Sequence, residues 1–173
     1  AQLEVYLMTL LAEEGAEMVK FSPTYQPQSL NAMRRLETAL EANFLTRGKW
    51  HKSAGNHYRF HKSHLTFLSA APGSNIVGAT ASTLLSLDEA QDIEIAKYDK
   101  QIAPMAASTN ATRVFWGTAW SAQTLLAREL RAAREAEARD GIRRVFQISA
   151  EEVRREVPAY GLFVDEQVAR MGR

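Results

Sequence analysis

The chain has 173 residues, 46% of them hydrophobic and 24% charged, with a formal net charge of +1 at pH 7 and no cysteine. That is the length and composition of one folded domain with a substantial core, and it excludes a disulfide framework and a thiolate metal centre, while the balanced charge neither demands nor excludes a polyanionic partner. No apolar run approaches the roughly 20 residues a membrane-spanning helix needs, and neither end has the pattern of a signal peptide, so no membrane role is expected.

Helical spacing starts at once, with Leu3, Leu7, Leu10 and Leu11 on one stripe. No initiating Met or capping residue precedes it, and the chain reads as an excerpt of a longer one. Gly15 closes this helix, and Glu17 to Phe21 (EMVKF) reads as a short strand. The Pro-punctuated loop SPTYQPQS leads into a helix apolar at Leu30, Met33, Leu36, Leu40 and Phe44, with Arg34 and Arg35 beside the stripe. Residues 47–64 are polar and aromatic and predict an exposed hairpin, with Tyr58 and Phe60 on one face and His57, Arg59 and His61 on the other. Leu65 to Leu68 is a strand, APGSNIVG a loop, and Thr83 to Leu87 an apolar strand of the kind covered on both faces.

Thr112 to Trp116 (TRVFW) is the next strand, ending in Gly117, Thr118 and Ala119. A helix from about Ser121 to Ala138 closes at Asp140-Gly141. Arg144 to Ile148 then reads as a last strand. Ser149 with Glu152 three residues on forms a capping box for a short helix, and residues 165–173 are helical again. Strands alternating with helices predict a three-layer α/β domain around a mostly parallel sheet.

The chemistry concentrates in LLSLDEAQDI, where an apolar strand runs into Asp88 and Glu89. Ligands of parallel sheets sit beyond the carboxyl ends of the strands, and an Asp in that position can hold Mg²⁺ while an adjacent acid deprotonates water. A solvated strand end is the alternative reading. A phosphate cradle would settle the choice, but none is complete. Gly48-Lys49 lacks the first glycine and the Ser/Thr, and Gly73 to Thr80 has Ala79 where lysine must stand. The latter also lies too close to Asp88 for a parallel crossover.

All four histidines, His51, His57, His61 and His64, fall in the hairpin beside Arg47, Lys49, Lys52 and Lys62. That pattern suits a solvated or phosphate-facing surface better than a metal site, because no carboxylate interleaves. The Arg-rich run 128–144 alternates in sign and reads as a self-supporting solvated helix, from which one arginine, or Arg113, could act as an arginine finger.

Taken in order, KFSPTYQPQS, LLSLDEAQDI and RVFWGTAWS resemble the strand and loop after the first crossover, the Walker B motif with its catalytic glutamate, and the coupling motif of phage terminase large subunits. The closing VFQISAEEVRREVPAYGLFVDEQVARMGR resembles the continuation found there. The resemblance covers most of the chain and implies a P-loop NTPase-like (RecA/ASCE-type) ATPase domain. It implies that Asp88 is the Mg²⁺ residue, that Glu89 is the general base, and that Gly117, Thr118 and Ala119 sense the γ-phosphate of ATP. Tyr25 and Gln26 would lie on the nucleotide side of the sheet. Implied partners are double-stranded DNA, a portal protein, a small terminase subunit and further copies in a ring, in the cytoplasm of a bacterial host.

Two departures stand out: the Walker A segment expected upstream and the RNase H-like nuclease domain expected downstream are both missing. Residues 1–173 are therefore expected to form a partial ATPase domain, inactive by itself. A DNA helicase also uses DEAQD, but its next strand would end in Gly-Asp followed by Gln rather than Gly117-Thr118-Ala119. An inactive α/β interaction module is the other alternative.

Overall fold

The computed structural model describes residues 1–76, 78–118 and 121–172. They fall into two compact units, Ala1–Glu129 and Leu130–Arg173. The first unit opens with α1 (Gln2–Leu10), β1 (Glu17–Ser22) and α2 (Leu30–Ala42). It continues with β2 (Trp50–Ser53), β3 (His57–Phe60), β4 (Ser63–Ser69) and β5 (Leu84–Leu87). A helical run of mixed winding over residues 95–106, which begins with α3 (Ile95–Lys97), and strand β6 (Thr112–Phe115) complete it. The six strands form one sheet in the order β2-β3-β4-β1-β5-β6. β4, β1, β5 and β6 pair in parallel, and β2 and β3 add an antiparallel hairpin at one edge.

Period-two alternation along the central strands sends side chains into two cores. Val19, Phe21, Leu85 and Leu87 face Ile93, Tyr98, Ile102, Met105 and Leu125 on one side. Met18, Leu84, Leu65 and Phe67 face Val5 and Met8 of α1 and Met33, Leu36 and Leu40 of α2 on the other. Helix, sheet and helix make the three layers expected, and every residue of β5 is buried. Truncating one of these side chains, such as Leu85, to alanine costs about 2–5 kcal/mol.

Several expectations need correction. The leucine stripe of α1 faces the core only in part: Leu3 and Leu10 are exposed and Leu7 and Leu11 pack half-buried against the core, while Glu4, Val5 and Met8 are buried. Glu4 turns inward to meet Lys20 of β1 at 2.8 Å. α1 ends before Gly15, whose φ of +92° and whose close approach to the Lys62 carbonyl (3.1 Å from an added Cβ) call for glycine. Phe44 lies beyond the end of α2 and is exposed. The 47–64 hairpin is not a free exposed arm. Tyr58 and Phe60 are buried in the α1/α2 core, and the Tyr58 hydroxyl donates to Glu37 of α2 at 2.6 Å.

α4 (Leu125–Asp140) leads into the second unit, which also holds α5 (Ala150–Glu156) and α6 (Pro158–Arg170). The capping box is present, with Glu152 N–H donating to the Ser149 hydroxyl and Ser149 N–H to the Glu152 carboxylate. Arg154 lies across Gly161 and pairs with Asp165, joining α5 to α6. The expected strand at 144–148 does not form. The backbone N–H groups of Arg144 and Val145 donate to the Glu137 carboxylate instead of to a strand partner. Arg144 clasps Asp140, and Phe146 and Ile148 are exposed.

Candidate functional site

β1 and β5 lie side by side, and their pairing continues one step past both strands. Asp88 N–H donates to the Phe21 carbonyl, Trp116 N–H to the Leu87 carbonyl and Ala90 N–H to the Trp116 carbonyl, each at 2.8 Å. Asp88 and Glu89 are thereby held at the carboxyl end of the parallel strands, between the ends of β1 and β6. The chain must turn sharply there. Glu89 takes the turn, with φ 48° and ψ 48°, a left-handed conformation that costs a non-glycine residue about 1–3 kcal/mol. The short helical turn Ala90–Asp92 follows.

That turn buries Gln91, whose amide reaches in two directions. Its nitrogen donates to a Glu89 carboxylate oxygen at 2.7 Å and, more weakly, to Asp92 at 3.3 Å. Its oxygen accepts from Thr118 N–H at 3.2 Å. Gly117 fits beneath it only because it has no side chain, since an added Cβ would stand 2.0 Å from the Gln91 oxygen. Gln91 therefore ties Glu89 directly to Gly117-Thr118. Sequence reasoning gave this residue of DEAQD no role; its signal was an uncharged donor–acceptor two residues after the second acid.

Asp88 is about one-third exposed at the side chain and sits 3.9 Å from the Lys20 ammonium. Lys20 and Glu4 are both buried. Burial pushes the Glu4 carboxyl up, but the charge and hydrogen bond of Lys20, with the Ala1 amino group at 2.7 Å, more than reverse this and hold it at about 2. Ala1, Glu4, Lys20, Arg35 and Asp88 line one small cavity of about 40 Å³ between α1, α2 and the strand ends. Glu4 and Lys20 escaped sequence reasoning because each looked like an ordinary charged residue on a helix or strand.

Tyr25 and Gln26 follow the end of β1, and neither lines the cavity at Asp88. Gln26, after which a cis peptide leads to Pro27, instead lines a shallow cavity of about 310 Å³ with Leu30, Asn31 and Arg34. Ala119 lies outside the described residues. Among the described residues of 73–80 no helix forms, and Lys97 anchors the start of this stretch by donating to the Ala71, Pro72 and Ser74 carbonyls. Among the described residues no group of three His, Asp or Glu is placed to hold a metal ion. His57 Nε2 and His64 Nδ1 share one hydrogen bond at 2.9 Å on the sheet. Among the arginines, Arg128 is engaged with Asp99 at 2.8 and 2.9 Å and with Glu129.

No family model and no curated protein matches the chain. Solved structures do. The Thermus phage P74-26 large terminase ATPase domain superposes with a TM-score of 0.55 at 20% identity, covering 69% of this chain and 54% of that one. The HK97 bacteriophage large terminase gives 0.61 at 15% identity over 77% of this chain and 29% of that one. A large terminase from a thermophilic bacteriophage gives 0.59 at 15% over 76% and 34%. The chain thus spans about half or less of the length of the structures it matches. Its fold is that of these phage terminase structures, a mostly parallel α/β sheet between helical layers.

Proposed function

We propose that the chain is part of the ATP-hydrolysing motor domain of a terminase large subunit, which drives viral DNA into a procapsid. The observation that carries this reading is the junction at the strand ends, where Gln91 joins the Glu89 carboxylate to Gly117-Thr118. In that arrangement an acid that activates water is wired to the segment that would feel the terminal phosphate. Gly117-Thr118, in place of Gly-Asp, speaks against the helicase alternative.

The residues suit the cofactors that this role requires. Asp88 offers a hard carboxylate oxygen, accessible at the end of the sheet, and Mg²⁺ is commonly held by one or two carboxylates together with substrate phosphates. When bound, Mg²⁺ would neutralise charge on the phosphates of ATP. Glu89 accepts the proton of the attacking water: Gln91 holds one carboxylate oxygen and leaves the other for that proton. Gly117 and Thr118, joined to the same amide, register the terminal phosphate together with Ala119, and Tyr25 and Gln26 flank the nucleotide side.

Ala1, at the start of α1, lines the cavity beside Asp88, and a phosphate cradle leading into α1 would deliver its backbone there. We assign that Walker A segment, and a nuclease domain, to sequence outside residues 1–173. The same reading brings double-stranded DNA, portal protein, small subunit and a homo-oligomeric ring as partners in the host cytoplasm. No helix among the described residues is long and apolar enough to cross a membrane.

The test is Glu89→Gln in a protein extended upstream through the cradle. Hydrolysis should fall by about 10²–10⁴-fold, the usual worth of a general base. Binding of ATP should persist. Turnover at the wild-type rate would remove Glu89 from the role.

A further inference from the structure

Glu4 is a carboxylate on the inner face of a helix, where an apolar residue is the rule and an unpaired charge is costly. It is paired with Lys20, and Lys20 in turn faces Asp88. The ammonium stands between two carboxylates but not midway: it is 2.8 Å from Glu4 Oε1 and 3.9 Å from Asp88 Oδ2. The two partners also differ in setting, since the Glu4 side chain is 3% exposed and that of Asp88 32%. The buried partner has taken the lysine, and the accessible one is left open.

We infer that Glu4 is a positioning residue for the metal-binding carboxylate: it draws the Lys20 ammonium off Asp88 and so leaves Asp88 free to take a divalent cation. The inference rests on the assignment of Asp88 to Mg²⁺ above and goes beyond it by giving α1 and β1 a part in cation affinity. The physical basis is competition. Lysine carries a point charge on a flexible four-carbon stem, so without Glu4 the ammonium closes on the remaining carboxylate and occupies the oxygen that a cation needs. Closing from 3.9 to 2.8 Å strengthens that contact enough, at the effective dielectric of a partly buried pair, to weaken cation binding on the order of tenfold. How strongly Lys20 competes is set by how firmly Glu4 holds it.

The experiment measures the Mg²⁺ midpoint for binding a fluorescent ATP analogue, together with the melting temperature, in the upstream-extended protein. Glu4→Gln should raise the Mg²⁺ midpoint about tenfold. Glu4→Gln combined with Lys20→Met removes the competing ammonium, and the midpoint should return to the wild-type value or fall below it. A role in folding alone would move the melting temperature and leave both midpoints in place, and that result would overturn the inference. If Glu4→Gln does not fold, the double variant, which buries no unpaired charge, decides: a midpoint well above wild type overturns the inference, and one at or below it supports the inference. Absence of Mg²⁺-dependent nucleotide binding in the wild type is a separate outcome that sinks the assignment of Asp88 itself, and the inference with it.

Discussion

Acid should weaken this fold through one identifiable carboxylate. Glu4 is held at about 2 in the folded chain against an ordinary value of 4.5. Its folded-state pKa is depressed, so its contribution is complete above pH 4.5 and is lost as pH falls toward 2. The full difference is worth about 3 kcal/mol, of which about 2 kcal/mol is gone by pH 3. The side chain is almost fully buried, so solvent screening takes little from this figure. Urea unfolding of the wild type and of Glu4→Gln, measured in half-unit steps from pH 7 to pH 3, isolates the effect. The wild type should be the more stable protein at neutral pH, and the gap should close by about 2 kcal/mol by pH 3. Lys20→Met should shrink the closure, because the larger of the two cations that hold the carboxyl down is gone and only the Ala1 amino group remains. A gap that stays constant between pH 5 and pH 3 would refute the argument and show that Glu4 is not ionised against Lys20 in the folded chain.

Gly117→Ala should destabilise the chain by about 1–3 kcal/mol, because its Cβ meets the Gln91 oxygen and forces a buried amide off its partners. Urea unfolding of Gly117→Ala, Gln91→Ala and the double variant should show strongly sub-additive effects, and simple additivity would mean that the two residues do not meet. The Tyr58 hydroxyl is pushed up to about 12, by burial first and then by its hydrogen bond to Glu37. Its raised value means a stabilisation present below pH 10 that is lost as pH climbs toward 12. Ultraviolet difference titration should therefore show one late tyrosine that is missing in Tyr58→Phe.

The fold was legible where periodicity and burial agree. β5 reads as an apolar run broken only by Ser86 because it is packed on both faces, and buried β1 shows Met18, Val19 and Phe21 around a single lysine. Legibility failed where a polar contact overrode the apolar pattern. On α1 the leucines form a clean stripe, yet the buried face is centred on Glu4, Val5 and Met8, with Glu4 paired to Lys20 and only Leu7 and Leu11 of the stripe packed against the core. At 144–148 the apolar residues Val145, Phe146 and Ile148 suggested a strand, but a strand forms only when a neighbour accepts its hydrogen bonds, and here the Glu137 carboxylate accepts from the Arg144 and Val145 N–H groups.

The candidate site divides in the same way. Asp88 and Glu89 announce themselves, because two acids ending a buried strand break the local pattern. Gln91 and the Glu4–Lys20 pair do not, since their meaning lies in what the fold brings near them: Thr118 across one strand end, Asp88 across another. Both connections run from an acid named by its motif to a residue on a different element. The acids mark where chemistry can occur, and the residues that reach them from α1, β1 and the end of β6 determine how tightly each acid is held and what it can sense.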